Sequence, residues 1–416
     1  MSEKLLVPRI RFKEFTNAWE QWKIGDLLTE RLEFSKQTID FPLMAFIANE
    51  GITPKGERYD RSSLVKDVEN KIYKVTKYGD FIYSSNNLDR GSIGANKYGN
   101  ACISPVYSVF RPTNLSDSRF IEKVLCRNDL IDKILRYRQG VVYGQLRIHE
   151  SAFLNINLNS PLLPEQHKIG RLLSNLDSLI ALHQRKLSSL KNLKNRLLDK
   201  MFCDEKSQFP SIRFKGFTNA WEQEKLGNLG VFKSSSVDKL IRSNEHTIYL
   251  INYMDVYKKL IITSKNKSSL MKVTASKKQI NECSILKNDV LFTPTSETAD
   301  DIAHSKVMEE TLDNTLFSYH LMRYRPYKNT FYGLFPDYLF DTDYFKKQAS
   351  LLAKGVQRFV LGKPEFESLK ITFPNVNEQE KISNLFRNLD SLIALHQRKL
   401  NSLKNIKNTL LEKMFV

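Results

Sequence analysis

NLDSLIALHQRKL, at Asn175–Leu187, returns without a change at Asn388–Leu400. Thirteen identical residues inside one chain mark a duplicated unit, and the match extends in both directions to pair Glu165–Phe202 with Glu378–Phe415. A second pair lies upstream of each long box: Ile10–Leu27 (IRFKEFTNAWEQWKIGDL) returns as Ile212–Leu229 (IRFKGFTNAWEQEKLGNL). The order is short box, variable stretch, long box, twice over. The short boxes are offset by 202 residues and the long boxes by 213, so the variable stretches differ by eleven residues. A constant frame holds two different inserts.

The long boxes read as helices. From Glu165 to Phe202 there is no proline, and Gly170 is the one glycine. Apolar residues recur in steps of three and four at Ile169, Leu172, Leu176, Leu179, Leu190, Leu193 and Leu197, and again at Ile382, Leu385, Leu389, Leu392, Leu403, Ile406 and Leu410. Two polar positions interrupt each seam at its waist, His183 with Lys186 and His396 with Lys399; the histidines are expected to be seam or partner-contact residues. Asn377 with Glu380 suggests a capping box for the second helix, and Pro164 would pre-set the backbone of the first. At about 1.5 Å per residue each rod is roughly 57 Å long, and two rods with matching seams are expected to pack antiparallel, with a parallel pair as the alternative.

Charge narrows the function. Lys and Arg outnumber Asp and Glu by 64 to 46, a net charge of +18 that points to a polyanionic partner, nucleic acid before membrane because the basic residues are spread along the chain. Cys102, Cys126, Cys203 and Cys283 lack CxxC spacing, so neither a zinc site nor a disulfide framework is indicated. No apolar run nears the roughly 18 residues of a membrane span, and MSEKLLVPR lacks the apolar core of a signal peptide, so the cytoplasm is the expected location.

The inserts, 28–163 and 230–376, are rich in short β runs: Lys71–Thr76, Asp80–Ser84 and Val106–Phe110 in the first, Thr247–Asn252, Asp289–Thr293 and Tyr319–Arg325 in the second. Each is expected to carry a helix before its last strands, near Arg119–Tyr137 and Tyr338–Lys354. They share landmarks. GDFIYS (Gly79–Ser84) matches NDVLFT (Asn288–Thr293), VFRP (Val109–Pro112) matches RYRP (Arg323–Pro326), and QGVVYGQ (Gln139–Gln145) loosely matches KGVQRF (Lys354–Phe359). The expected fold class is α+β: two related α/β domains joined by two long antiparallel coiled-coil helices, with an internal pseudo-two-fold duplication. The expected segments are 1–163, 164–203, 204–376 and 377–416: first domain, first long helix, linker with second domain, second long helix.

Two related but different heads at a fixed separation suit a split target. The chain resembles the specificity subunit of a type I restriction-modification system. The likeness covers essentially the whole chain and is carried by the helical boxes introduced by PLLPEQHKI (Pro161–Ile169) and PNVNEQEKI (Pro374–Ile382), the GD-type strand starts, and the duplicated boxes at Trp19 and Trp221. The resemblance implies that each insert is a target recognition domain for one half of a bipartite asymmetric site in double-stranded DNA. It further implies that the helices set the spacer and hold two modification subunits that methylate adenine, joined in cleaving complexes by two restriction subunits. S-adenosylmethionine, ATP and magnesium would belong to those partners, leaving this chain without a cofactor or a catalytic residue.

The residues themselves also argue against an enzyme. The polar-Pro-Pro-aromatic loop of an adenine methyltransferase is missing, since Asn159-Ser160-Pro161 lacks the second proline and the aromatic; Gly362-Lys363 is followed by Pro364 where a P-loop needs Ser or Thr. Pro336-Asp337 has no ExK triplet to complete a nuclease metal site. Two alternatives stay open: a specificity module of another restriction or methylation enzyme, and a coiled-coil scaffold with basic side domains, which leaves the paired divergent inserts unexplained. Base reading calls for Arg, Asn and Gln in loops or on strands, phosphate contact for Lys and Arg. The DNA-binding candidates in the first insert are Arg58, Arg61, Asn86 and Asn87 after Ser85, Arg90, Lys97, Tyr98, Tyr143, Gln145 and Arg147. In the second they are Lys258, Lys259, Lys265, Lys267, Lys272, Thr295, Ser296, Gln357 and Arg358. Trp19 and Trp221 are expected to be packing anchors, because their whole neighbourhood repeats.

Overall fold

The structure, a computed structural model, describes residues 6–48, 51–54, 71–140 and 146–416. It divides into two compact units, Met1–Gln184 with Arg398–Val416, and Arg185–Gln397. Each unit thus holds one short box, one insert, the N-terminal part of one long helix and the C-terminal part of the other.

In the first unit a four-stranded antiparallel sheet has the order Leu28–Glu30, Tyr107–Pro112, Phe81–Ser84, Ile93–Ala95. Phe81–Ser84 is buried along its whole length, so Phe81, Ile82 and Tyr83 follow one another without a polar alternate. The insert also holds a three-stranded sheet (Phe34–Ser35, Tyr73–Thr76, Ala101–Ile103) and an antiparallel pair, Met44–Ile47 with Gly51–Pro54. The second unit repeats the first sheet in the same order: Gly230–Ser234, Met322–Pro326, Val290–Phe292, Ser305–Val307. A second four-stranded sheet there is mixed, with Met271–Ala275, His246–Ile251, Leu312–Phe317 and Ser284–Ile285, of which the central pair is parallel. Each short box adds a strand that closes on the end of its own insert, Glu20–Lys23 on Asn157–Ser160 and Glu222–Lys225 on Lys370–Phe373.

Each helix expected before the last strands is two shorter ones. Ser118–Leu125 and Asn128–Leu135 are separated at Arg127, and Phe335–Leu339 and Asp343–Leu352 at Thr342. Both separating residues are extended, and Thr342 restarts the helix by accepting a bond from the Phe345 amide on its hydroxyl. Neither break contains Pro or Gly; at the first, Arg127 forks onto Asp129 two residues on and lies 5.1 Å from the Phe415 ring centroid.

The long helices span Leu163–Met201 and Val376–Lys413. The second is capped by Asn375, whose side chain accepts from the Glu378 amide at 3.1 Å, two residues before the expected Asn377. The seam also differs from the expected one. Its inward phase runs through Ile169, Leu173, Leu176, Ile180, His183, Leu187, Leu190, Lys194, Leu197 and Met201, a heptad that shares every other position with the expected register. Leu176 and Leu389 are buried, and Leu172, Leu190, Leu197, Leu385, Leu403, Leu410, His183 and His396 are half-buried. Leu179 and Leu392, however, are 43% and 44% exposed, and Leu193 and Ile406 face water with them.

The frame is reproduced with close fidelity. In the first unit the Ile10 amide donates to the Lys413 carbonyl at 2.9 Å, and Arg11 forks onto the buried Glu165. In the second, Ile212 donates to Lys200 at 2.8 Å and Arg213 forks onto Glu378. Each short box therefore ties the first turn of one long helix to the last turn of the other, which makes the helix pair within each unit antiparallel. Lys407 meets Asp177 at 2.6 Å, and Lys194 meets Asp390 at 2.6 Å. Gln166 and Gln379 each accept from a backbone amide of their insert (Asp117, Tyr332) and donate to two carbonyls. Gly170 lets the first helix approach closely: a Cβ there would lie 2.7 Å from Asp117 Oδ1 and 2.8 Å from the Phe120 amide nitrogen.

Candidate nucleic-acid interface

The GD-type strand starts set the recognition loops. Gly79 (φ +86°) and Asn288 (φ +70°) supply the left-handed turn residue. The next residue, Asp80 or Asp289, is buried and accepts the amide three residues back, Lys77 or Leu286. Each carboxylate is also forked by an arginine, Arg31 at 2.7 and 2.9 Å or Arg325 at 2.6 and 2.8 Å. These bonds raise both guanidinium pKa values. With its start pinned by a buried fork, each strand delivers the loop at its far end in a fixed position.

In the first unit that loop carries the exposed Asn86 and Asn87 and a 3-10 turn at Leu88–Arg90, ended by Gly91 at φ +81°. Arg90 is exposed. Asn96 organises the neighbouring turn, accepting the Tyr98 and Gly99 amides and leaving Tyr98 51% exposed. Lys97 bonds Glu122 at 2.7 Å with its side chain still largely in water. Gln139–Gly140 pairs with Leu146–Arg147 across the late loop. Arg147 is held by Glu150; burial would raise that carboxyl, but bonds from Ser108 and Arg147 keep it below the usual range. Arg58, Arg61, Tyr143 and Gln145 lie outside the described residues.

The second unit brings two expected loops together. Thr295–Ser296 pairs antiparallel with Phe359–Val360, so the loop after the Val290–Phe292 strand and the loop bearing Gln357 and Arg358 form one surface. Gln357 and Arg358 are exposed, whereas Ser296 is buried and bonded to Thr298. The lysines divide. Lys258 and Lys265 are exposed. Lys267 and Lys272 both stand near the Tyr249 ring, at 5.8 and 5.9 Å from its centroid. Lys259, in a left-handed turn, pairs with the half-buried carboxylate of Asp341. The sequence pattern did not single out Tyr253, which donates to the Thr295 carbonyl at 3.0 Å, or Val356, 92% exposed beside Gln357. Trp19 and Trp221 are 3% and 2% exposed, each in an aromatic trio, as expected of packing anchors.

Among the described residues there is no cluster of three or more metal-ligating side chains, and no helix is long and apolar enough to cross a membrane.

Comparison with known proteins agrees with this architecture. The family model described as "Type I restriction modification DNA specificity domain" matches twice, over residues 17–192 and 220–405, once per unit of the duplication; the chain belongs to that family. Two relatives from Methanocaldococcus jannaschii carry the names of type I restriction enzyme specificity subunits. The one named for MjaX is 22% identical over 318 residues, covering 73% of this chain and 68% of the relative. The one named for MjaVIII is 20% identical over 293 residues, covering 64% and 63%. The solved S subunit of a type I restriction-modification system from M. genitalium shares the fold, with a TM-score of 0.59 over 99% of both chains at 17% identity. The chain is thus a specificity subunit, a non-catalytic kind of subunit.

Proposed function

We propose that each insert reads one half of a bipartite asymmetric sequence in double-stranded DNA, and that the long helices set the spacer between the halves. The observation that supports this most directly is the contrast between a frame whose anchoring bonds recur, Arg11–Glu165 as Arg213–Glu378 and Lys407–Asp177 as Lys194–Asp390, and two inserts whose candidate loops differ in residue type. A duplicated frame with identical inserts would suit a palindrome; divergent inserts suit two different half-sites. Modification subunits that methylate adenine dock twice, once on each copy of the exposed helix stripe, Leu179 with Leu182 and Leu392 with Leu395. These leucines sit within the thirteen residues kept identical although burial does not require them. Restriction subunits join in the cleaving form. S-adenosylmethionine, ATP and magnesium act on those partners, and this chain contributes recognition.

Binding of duplex DNA by the chain assembled with its modification subunit should fall with salt at a log-log slope of about −0.9 per phosphate contact. An affinity that is flat from low to physiological salt contradicts the DNA assignment. The paired change Leu179→Asp with Leu392→Asp should abolish co-purification of the modification subunit while costing only roughly 1–2 kcal/mol of stability, the sum of two helix-propensity losses at largely exposed positions. Retained co-purification would remove the stripe from the interface.

A further inference from the structure

The loop Lys354–Val360 is built as a rigid projecting tip. Lys354 and Val360 exchange both backbone bonds, at 3.0 and 2.8 Å, and the Leu361 amide donates to the Pro294 carbonyl at 2.8 Å. The pairing of Thr295–Ser296 with Phe359–Val360 then ties the base of the tip to the loop at the far end of the Val290–Phe292 strand, whose start Asp289 pins. Gly355 has φ +147°, and a Cβ on it would lie 2.0 Å from the Arg358 carbonyl oxygen, so no other residue fits this backbone. The chain turns back on itself and holds Val356, Gln357 and Arg358 outward. Val356 is 92% exposed, next to two exposed side chains whose forked groups suit adenine and guanine edges. The tip itself is basic, with Lys354 and Arg358 both exposed.

A β-branched apolar side chain fixed in water on a basic loop gains when an apolar surface covers it. The apolar group that base pairs present in the major groove is the thymine 5-methyl. We propose that Val356 reads a thymine in the half-site of the second recognition domain by covering its 5-methyl group, with Gln357 and Arg358 reading the adjoining base edges. This rests on the DNA-reading role proposed above.

The test uses the full chain assembled with its modification subunit and the motif obtained by methylation sequencing. Each thymine of the second half-site is replaced in turn by deoxyuridine, which lacks only the methyl group. One position should weaken binding by roughly fourfold, the transfer value of one methyl-sized group. Val356→Ala should weaken binding to the thymine duplex by a similar factor and erase the difference between thymine and deoxyuridine at that position. Its response to deoxyuridine in the first half-site should be unchanged. A second half-site without a methyl-sensitive thymine, or a sensitivity that survives intact in Val356→Ala, overturns the proposal. Loss of affinity in Val356→Ala with no methyl sensitivity in the parent would instead describe a wedge between bases, and also overturns it. If the parent complex binds its motif no better than a scrambled duplex, the DNA-reading role itself fails.

Discussion

In the first unit Trp19 meets Phe415 edge-on at 6.0 Å and Phe120 stacks on Phe415 at 5.7 Å; in the second, Trp221 meets Phe202 at 6.1 Å and Phe335 stacks on Phe202 at 5.6 Å. The buried aspartates at the strand starts behave differently. Asp80 takes its arginine from Arg31, just beyond the edge strand, whereas Asp289 takes Arg325 from the neighbouring strand. A frame that must accept the end of the other long helix tolerates little change. An insert need only satisfy its own buried charge, and it has found two solutions.

The largest expected stability effect breaks those forks. Asp80→Ala should destabilise the first unit and Asp289→Ala the second, each by about 3–5 kcal/mol, because each change leaves a guanidinium without its buried partner. The second loss should fall at the lower end, since the Arg325 side chain is 34% exposed and that of Arg31 only 9%. Calorimetry of the two variants checks both size and order; equal, small losses would mean that the forks are dispensable.

A smaller effect separates the two helices. Gly170 and Ser383 are equivalent, yet only the first faces a neighbour that excludes a Cβ. Gly170→Ala should cost roughly 1–3 kcal/mol through overpacking, and Ser383→Gly roughly 0.5–1 kcal/mol through helix entropy. If Gly170→Ala proved stabilising in urea unfolding, the close approach to Asp117 would be refuted.

The smallest effect is in acid. Burial would raise the Asp341 carboxyl, but Lys259 and Lys346 outweigh it and hold the pKa below the usual carboxylate range. A depressed folded pKa gives stability that is full above the unfolded value, about 3.9, and is lost as pH falls through the folded one. The equivalent residue of the first unit is Cys126, so this contribution belongs to the second unit alone. Asp341→Asn should flatten the acid limb of melting temperature against pH, and an unaltered limb would assign it to other carboxylates.

The duplication, the helices, the strand starts and the anchoring tryptophans were legible because each repeats in sequence. The seam phase was half legible. Two heptads share Ile169, Leu176, His183, Leu190 and Leu197, and leucines stand at alternates of both, Leu172 and Leu179 beside Leu173 and Leu187, so periodicity alone could not choose. The partner of Lys259 lies 82 residues away, and no local pattern announces it. Val356 was half legible: the KGVQRF landmark marked its loop, with Gln357 and Arg358 as the candidates, but which side chain projects depends on the turn at Gly355.

The most direct test of two independent heads on one frame is to replace residues 28–163 with the corresponding insert of a relative and sequence the methylated motif in a host that also makes the modification subunit. One half-site should change while the other half and the spacer length stay as they were. A motif altered in both halves, or a changed spacer with the original bases, would contradict the account.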